Sequence, residues 1–231
     1  QQIKKDGYIW WLDRMNLNFK IFDIIRIDHF RGFEKFWQVP AAHKTAEKGK
    51  WIEGPGEDFF ETIYKYLPSA QIIAEDLGYI TPDVRQMLKN LSLPGMKVLL
   101  FAFEDFSGKN LYLPHNYNQK CIVYTGTHDN YSVLGWFEKN ATAKQKKILF
   151  TYLGTRLTKD RIPWQLIRLA MASVAKTAII PIQDILALGS KARMNKPARK
   201  KGNWKWRMKK GQTTKKLADK LANLTEFFAR A

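Results

Sequence analysis

Four carboxylate side chains lie where three apolar segments of the chain end. Asp28 closes KIFDIIRID (20–28), Glu75 and Asp76 close AQIIAED (70–76), and Asp129 closes CIVYTGTHD (121–129). In parallel α/β folds the carboxyl ends of the strands and the loops after them build the active site. We therefore expect Asp28, Glu75 and Asp129 to converge in one polar pocket. Cleavage of a glycosidic bond requires two carboxylates in different environments, one as nucleophile or base and the other as acid.

The neighbours of two carboxylates favour different protonation states. Arg26 lies two residues before Asp28, and residues i and i+2 of a strand face the same side. A guanidinium there would keep Asp28 ionised, as a nucleophile requires. Glu75 follows an apolar run, where partial burial would favour the protonated acid.

Structural roles for the same residues stay open on spacing alone. A single Asp or Glu at a strand end is more often a helix cap or an ion-pair partner than a catalytic group. Arg26 and Asp28 could form a structural salt bridge, and His128 could be a hydrogen-bonded pocket histidine.

The elements that must position these residues alternate between apolar strands and amphipathic helices. The patterns predict strands at 20–28, 70–76, 96–103, 121–129 and, shorter, 178–184. They predict helices at 56–67, 81–91, 144–153, 163–176 and 213–229, with Thr81 as an N-cap and Pro82 in the first helical position.

This alternation predicts an α/β fold with a parallel sheet covered by helices. A dinucleotide-binding fold is not favoured, because no G-x-G-x-x-G turn follows the first strand. A (β/α)₈ barrel of the TIM type takes about 250 residues for eight units. Four or five strands in 231 residues therefore predict the C-terminal half of such a barrel.

Composition indicates a globular chain, with 45% hydrophobic and 13% aromatic residues. No run of about 18 apolar residues is present, so no membrane span is expected. A single cysteine, Cys121, excludes an internal disulfide framework and suits a reducing compartment, so we expect a cytoplasmic protein. The chain opens without Met or an apolar leader, from which we expect a piece of a longer chain without a signal peptide.

The positive charge is concentrated near the C-terminus. Segment 191–220 has thirteen Lys and Arg against one Asp, which gives it +12 of the net +18. Such a segment can bind nucleic acid. Because no RNA-binding or zinc-finger signature accompanies it, we favour a solvated basic surface and expect no nucleic-acid partner.

Nine stretches, in this order along the chain, carry a resemblance to a known family. They are DGYIWWLDR (6–14), RIDHFRGFEKFWQVPA (26–41), GPGEDFF (54–60), IIAEDLGYITPDVRQML (72–88), LPGMKVLLFAF (93–103), YLPHNY (112–117), VYTGTHDN (123–130), PIQDILALGSKARMN (181–195) and GNWKWR (202–207). Through them the chain resembles the amylomaltases, or 4-α-glucanotransferases, of the α-amylase superfamily.

The resemblance implies a role for each candidate residue. Asp28 matches the nucleophile that forms a covalent glucosyl-enzyme intermediate, and Glu75 matches the general acid/base. Asp129 matches the third carboxylate, which binds sugar hydroxyls and favours the distorted ring. Arg26 and His128 match residues that contact the sugar at the cleavage subsite. The implied reaction is a retaining transfer between α-1,4-glucans such as maltooligosaccharides, starch or glycogen, with no cofactor and no metal.

Two local departures from the family lie near the expected cleft. Tyr131 follows THDN where the family usually has Asp, and KPARKKGN (196–203) replaces a loop that usually runs through Pro-Gly-Thr. The superfamily motif of an early strand, an Asp with a later Asn-His, is absent. Residues 1–231 are thus expected to be the C-terminal part of one catalytic barrel domain, about strands 4 to 8 with a helical C-terminal segment. We expect that part to be poorly active or inactive alone.

Other functions remain open on the sequence. The same scaffold could hydrolyse α-glucans, or the chain could be a non-catalytic protein that binds carbohydrate or nucleic acid. Trp37, Trp51 and Tyr124 are candidate stacking platforms for sugar rings, although packing in the core or in loops is the commoner role for such residues.

Overall fold

A computed structural model describes residues 2–230 of the chain. It consists of two compact units, Gln1–Met96 and Lys97–Ala231. Residues 2–230 contain no helix with the length and hydropathy that crossing a bilayer requires.

The first unit contains four strands in two small sheets. Strands β1 and β4 run parallel, with Ile24 opposite Gln71 and Ile27 opposite Ala74, while β2 and β3 form an antiparallel hairpin. The helices are α1 (Gln2–Lys5), α2 (Ile9–Phe19), α3 (Arg31–Glu34), α4 (Glu57–Tyr66) and α5 (Pro82–Asn90). The strands are β1 (Ile24–Ile27), β2 (Lys35–Gln38), β3 (Lys50–Glu53) and β4 (Gln71–Ala74).

Two predicted helices of this unit are confirmed to within one residue at each end. Of the apolar stripe that predicts α4, Phe59, Phe60 and Ile63 are buried, and Tyr64 and Leu67 are partly buried. Helix α5 begins as the sequence indicates, because the Thr81 hydroxyl accepts a hydrogen bond from the Val84 amide at 3.4 Å and Pro82 occupies the first turn. Both helices contribute to the core beside β4.

The second unit is built around the parallel pair β6–β7, in which Ile122 lies opposite Thr177. Strand β5, which spans the end of the first unit and the start of the second, is the third member of this sheet, in the order β5-β6-β7. The strands are β5 (Gly95–Val98), β6 (Cys121–Tyr124) and β7 (Thr177–Ile179). The helices are α6 (Val133–Lys139), α7 (Ala143–Leu153), α8 (Ile162–Ala172), α9 (Ile182–Ile185) and α10 (Lys215–Phe227).

Helix α8 is the most buried helix of this unit and holds the C-terminal helix. Its side chains Ile162, Leu166 and Ile167 are fully buried. The Lys220 ammonium of α10 lies 3.7 Å from the centroid of the Trp164 ring, a cation–π contact. The predicted helices at 144–153, 163–176 and 213–229 are all present, although α8 ends four residues before its predicted limit.

Four predicted strands are longer than the observed ones, and the 70–76 segment forms its strand at Gln71–Ala74. The 20–28 segment becomes a strand only at Ile24, since the amides of Lys20 and Phe22 bond to carbonyls of α2 and complete that helix. The 96–103 segment is extended only to Val98, after which Leu99–Phe101 forms a 3₁₀ turn. A continuous apolar run carries no period that distinguishes these two conformations. The 121–129 strand ends at Tyr124 and continues as a loop.

The 178–184 prediction is wrong beyond its first residues. The strand covers Thr177–Ile179, Pro181 interrupts it, and Ile182–Ile185 is helical. Helices α1, α2, α3 and α6 and the β2–β3 hairpin were not predicted. Residues 2–230 form three separate sheets, of two, two and three strands, and do not form a closed barrel.

The second unit buries a carboxylic acid. Asp184, in α9, is 1% exposed and accepts hydrogen bonds from the Thr125 hydroxyl at 2.5 Å and the Val133 amide at 2.7 Å. Burial raises the pKa of this carboxyl from 3.8 to about 6, although both hydrogen bonds act in the opposite direction.

We expect this raised pKa to make stability depend on pH. Between about pH 4 and pH 6 the folded state keeps a proton that the unfolded chain has released, so the free energy of unfolding falls as pH rises. Between pH 4 and pH 7, the wild-type value should fall by about 2–3 kcal/mol relative to that of Asp184→Asn. Urea unfolding of both proteins across this range measures the difference, and parallel pH dependences would contradict it.

Candidate active site

The register of β1 and β4 brings Asp28 and Glu75 to the same edge of the first unit's parallel pair. Each follows directly on the last paired residues, Ile27 and Ala74. The pairing continues beyond the strands, since the Glu75 amide donates to the Ile27 carbonyl at 2.9 Å and the Phe30 amide donates to the Glu75 carbonyl at 3.1 Å. Neighbouring strands are about 4.8 Å apart, so both carboxylates start from adjacent backbone positions.

Two backbone amides hold the Glu75 carboxylate. The His29 amide donates to Oε2 at 2.7 Å, and the Leu77 amide donates to Oε1 at 2.8 Å. His29 has a φ of 49°, in the left-handed region that non-glycine residues rarely adopt. In this backbone conformation the His29 amide points at the Glu75 carboxylate. The side chain of Glu75 is half-buried, as its place after an apolar run predicts.

Asp28 is the more accessible of the two carboxylates. Its side chain is 75% exposed, and its Oδ1 accepts a hydrogen bond from Arg26 Nη2 at 2.6 Å. The predicted pairing of Arg26 with Asp28 is therefore confirmed. Arg26 Nε also donates a hydrogen bond to the Met96 sulfur at 3.3 Å, which helps to orient the guanidinium.

Asp76 has a structural position. Its Oδ1 accepts a hydrogen bond from the Met96 amide at 2.6 Å, at the start of β5. A Cβ atom at Gly95 would lie 2.5 Å from Asp76 Oδ2, so a larger residue there would displace this carboxylate. Of the two acidic residues after β4, only Glu75 is therefore a candidate for the chemistry.

In the second unit, the 193–195 segment ties Asp129 in place. Asn195 Nδ2 donates to Asp129 Oδ1 at 2.5 Å, and the Arg193 guanidinium donates to the Asp129 carbonyl. His128 Nε2 lies 3.6 Å from Asp129 Oδ2, and the His128 carbonyl accepts from the Asn195 amide at 3.1 Å. Predicted residues His128 and Asp129 thus share one cluster with two residues, Arg193 and Asn195, whose contacts the sequence did not predict.

Two aromatic rings contact this cluster. The Arg193 guanidinium lies 4.3 Å from the centroid of the Tyr131 ring, so the residue that departs from the family pattern supports an arginine that holds Asp129. The Trp204 ring centroid lies 5.1 Å from that of His128. A cavity of about 120 Å³ is lined by His128, Tyr131 and Arg193 among other residues.

The three candidate platforms differ in exposure. Trp37 and Trp51 are 40% and 50% exposed and contact each other across the β2–β3 hairpin, with ring centroids 5.3 Å apart. The Arg31 guanidinium lies 4.4 Å from the Trp51 ring. Tyr124 is buried in the core of the second unit, which favours packing over stacking on a sugar.

Each unit therefore assembles part of the predicted site. The first brings Arg26, Asp28 and Glu75 together, and the second brings His128 and Asp129 together. The meeting of all three carboxylates in one pocket stays a prediction. Within residues 2–230, no group of three or more His, Cys, Asp and Glu side chains could hold a metal ion.

Comparisons with known proteins give one consistent answer. The family model described as 4-alpha-glucanotransferase matches residues 1–214. The chain is 47% identical to a Synechocystis 4-alpha-glucanotransferase over 232 residues, covering 100% of this chain and 45% of that protein. It is 43% identical to a Thermus thermophilus 4-alpha-glucanotransferase over 230 residues, covering 97% of this chain and 46% of that protein.

A solved structure agrees with these relatives. The amylomaltase from Streptococcus agalactiae in complex with acarbose superposes with a TM-score of 0.93 at 38% identity, covering 99% of this chain and 46% of that one. The chain thus spans less than half the length of the curated relatives it matches. By its family model, its relatives and its fold, the chain belongs to the 4-alpha-glucanotransferase family.

Proposed function

We propose that this chain carries the catalytic carboxylates of a retaining 4-α-glucanotransferase. The enzyme passes α-1,4-glucan segments from a donor to the 4-hydroxyl of an acceptor glucan or glucose. The observation that carries the proposal is the parallel pairing of β1 with β4, which starts Asp28 and Glu75 from adjacent positions at one sheet edge. The substrates are maltooligosaccharides, starch or glycogen.

The proposed reaction has two steps, with Asp28 as nucleophile and Glu75 as acid and then base. In the first, an Asp28 oxygen attacks the anomeric carbon while Glu75 gives a proton to the departing glycosidic oxygen. In the second, Glu75 takes the proton of the acceptor's 4-hydroxyl, whose oxygen displaces Asp28 from the sugar. The two inversions leave the product with the α configuration of the donor.

Neighbouring groups have defined parts in this proposal. Arg26 orients Asp28 through the 2.6 Å hydrogen bond, and the amides of His29 and Leu77 fix the direction of the Glu75 carboxylate. Asp129 binds hydroxyls of the sugar and stabilises its distorted ring, and His128 contacts the sugar at the same subsite. The acceptor competes with water for the intermediate, so transfer requires a cleft that excludes water.

The architecture that we propose for the complete enzyme is a closed (β/α)₈ barrel. This chain supplies its C-terminal half, about strands 4 to 8, as part of one catalytic domain. The support is that the chain covers 45% of the Synechocystis relative and 46% of the Streptococcus agalactiae amylomaltase. We also propose a cytoplasmic location, since the single Cys121 suits a reducing compartment.

We expect the 231-residue chain alone to show no transfer. The missing half of the proposed barrel would leave sheet edges unpaired and the cleft open. A chimera in which this chain replaces the matching 232 residues of the Synechocystis relative should disproportionate maltotriose into glucose and longer glucans. Chromatography of the products tests both proteins.

The outcomes of this assay distinguish the alternatives. Only shorter products from the chimera would indicate a hydrolase. An inactive but folded chimera would contradict the proposed function. Transfer by the isolated chain would contradict the half-barrel proposal.

We expect Asp28→Asn and Glu75→Gln in the chimera to differ towards an activated donor. A glucosyl fluoride has a leaving group that needs little protonation, so Glu75→Gln should still consume it, while its turnover of maltotriose falls by about 10²–10⁴-fold. Asp28→Asn should lose both reactions by about 10⁴-fold, because no nucleophile remains.

Matched controls exclude a general effect of neutralising a carboxylate. Asp13→Asn and Glu61→Gln make the same changes at exposed positions of the first unit and should retain wild-type rates. If Asp28→Asn consumed glucosyl fluoride at the wild-type rate, the assignment of the nucleophile would be wrong.

A further inference from the structure

The buried carboxylate of Asp184 contacts both ends of one loop. The loop consists of residues 125–133 and joins β6 to α6. Asp184 Oδ2 accepts a hydrogen bond from the hydroxyl of Thr125 at its start, and Oδ1 accepts one from the amide of Val133 at its end. Asp184 is 1% exposed and Thr125 is fully buried, so water does not compete for these contacts.

Residues His128 and Asp129 lie between the two anchored ends. The turn that carries them has hydrogen bonds of its own, from the Thr127 amide and hydroxyl to Asn130 Oδ1 at 2.8 and 2.9 Å, and from the Asn130 amide to the Thr127 carbonyl at 3.1 Å. These bonds shape the turn without Asp184. Asp184, in contrast, fixes the distance between the two ends of the loop.

We infer that Asp184 is a positioning residue for the transfer reaction, because it fixes both ends of the 125–133 loop and thereby sets where Asp129 meets the sugar. The inference rests on the proposed role of Asp129 and adds a residue that does not touch substrate. Asp184 lies in PIQD at the start of α9, and its contacts bridge 59 and 51 positions of the chain.

The hydrogen-bonding partners of Asp184 are neutral donors. Of the ionisable groups that line the adjoining cavity, His128 packs on Trp204, and Arg193 lies over Tyr131 and donates to the Asp129 carbonyl. Of the charged residues on the helices beside α9, Glu138 pairs with Lys159 and Arg168 contacts the rings of α10 and its C-terminal end.

An asparagine can therefore replace the carboxylate. Its carbonyl oxygen can accept from the Val133 amide, and its NH₂ group can donate to the Thr125 hydroxyl oxygen. Asp184→Asn should keep the span of the loop, whereas Asp184→Ala removes both contacts. Tyr117→Phe is a matched control, because it deletes another hydrogen bond of the second unit, the partly buried one from the Tyr117 hydroxyl to the Tyr112 carbonyl at 2.7 Å.

Hydrogen exchange of the 231-residue chain tests the inference without any activity. In Asp184→Ala the amides of Thr127 and Asn130, which do not contact Asp184, should exchange at least about tenfold faster than in the wild type. Asp184→Asn and Tyr117→Phe should leave both rates within about twofold. Acceleration of the Val133 amide alone, or equal acceleration in Tyr117→Phe, would overturn the inference.

A second pair of variants covers the case in which Asp184→Ala does not fold. Thr125→Val removes only the hydroxyl contact and keeps the shape of the side chain, while Thr125→Ser keeps the hydroxyl. Faster exchange at Thr127 and Asn130 in the valine variant, and not in the serine variant, supports the inference. Equal rates in both variants would overturn it.

Kinetics of the chimera test the link to the reaction. Because Asp129 is proposed to act on the distorted sugar, Asp184→Ala should lower kcat about tenfold or more with KM changed less than about threefold, and Asp184→Asn should restore kcat. A loss in KM alone, or a loss of kcat that Asp184→Asn does not restore, would contradict positioning. If the wild-type chimera is inactive, the proposed function fails, and the exchange experiment still decides whether Asp184 fixes the loop.

Discussion

The parallel register of β1 and β4 is the constraint on which the candidate chemistry depends. Ile27 lies opposite Ala74, so the next residues, Asp28 and Glu75, leave the sheet side by side. A slip of one residue would send each side chain to the other face of its strand and separate the two carboxylates. The pairing is reinforced beyond the strands, where the amides of Glu75 and Phe30 bond across to the neighbouring strand segment.

Backbone groups and side chains share the work of orienting the carboxylates. Glu75 accepts hydrogen bonds from two main-chain amides, which a side-chain substitution other than to proline leaves in place. Asp28 and Asp129 instead depend on the side chains of Arg26 and Asn195. In the second unit the backbone that carries Asp129 is itself held by a side chain, because buried Asp184 bonds to both ends of its loop. A residue that acts only on such a supporting side chain can vary. Tyr131, where the family usually has an acidic residue, still contacts the Arg193 guanidinium through its ring.

The sequence predicted the helices and contacts that depend on residues close together along the chain. The stripe of Phe59, Phe60 and Ile63 fixed α4, and the Thr81 cap with Pro82 fixed the start of α5. The alternation of side chains along a strand predicted that Arg26 would contact Asp28. The 3₁₀ turn Leu99–Phe101 was missed because an unbroken apolar run has no period. Three features arise only from the tertiary fold, so no local pattern predicted them. They are the left-handed backbone of His29, the contact of Asn195 with Asp129 across 66 positions, and the contacts of Asp184.

Chemical labelling of the nucleophile tests the proposed role of Asp28. The chimera is treated with a fluorinated glucosyl fluoride whose intermediate breaks down slowly, digested, and analysed by peptide mass spectrometry. We expect a glucosyl label on Asp28, the neighbour of Glu75 at the edge of the sheet. A label on another carboxylate, or continued turnover with no covalent intermediate, would contradict it.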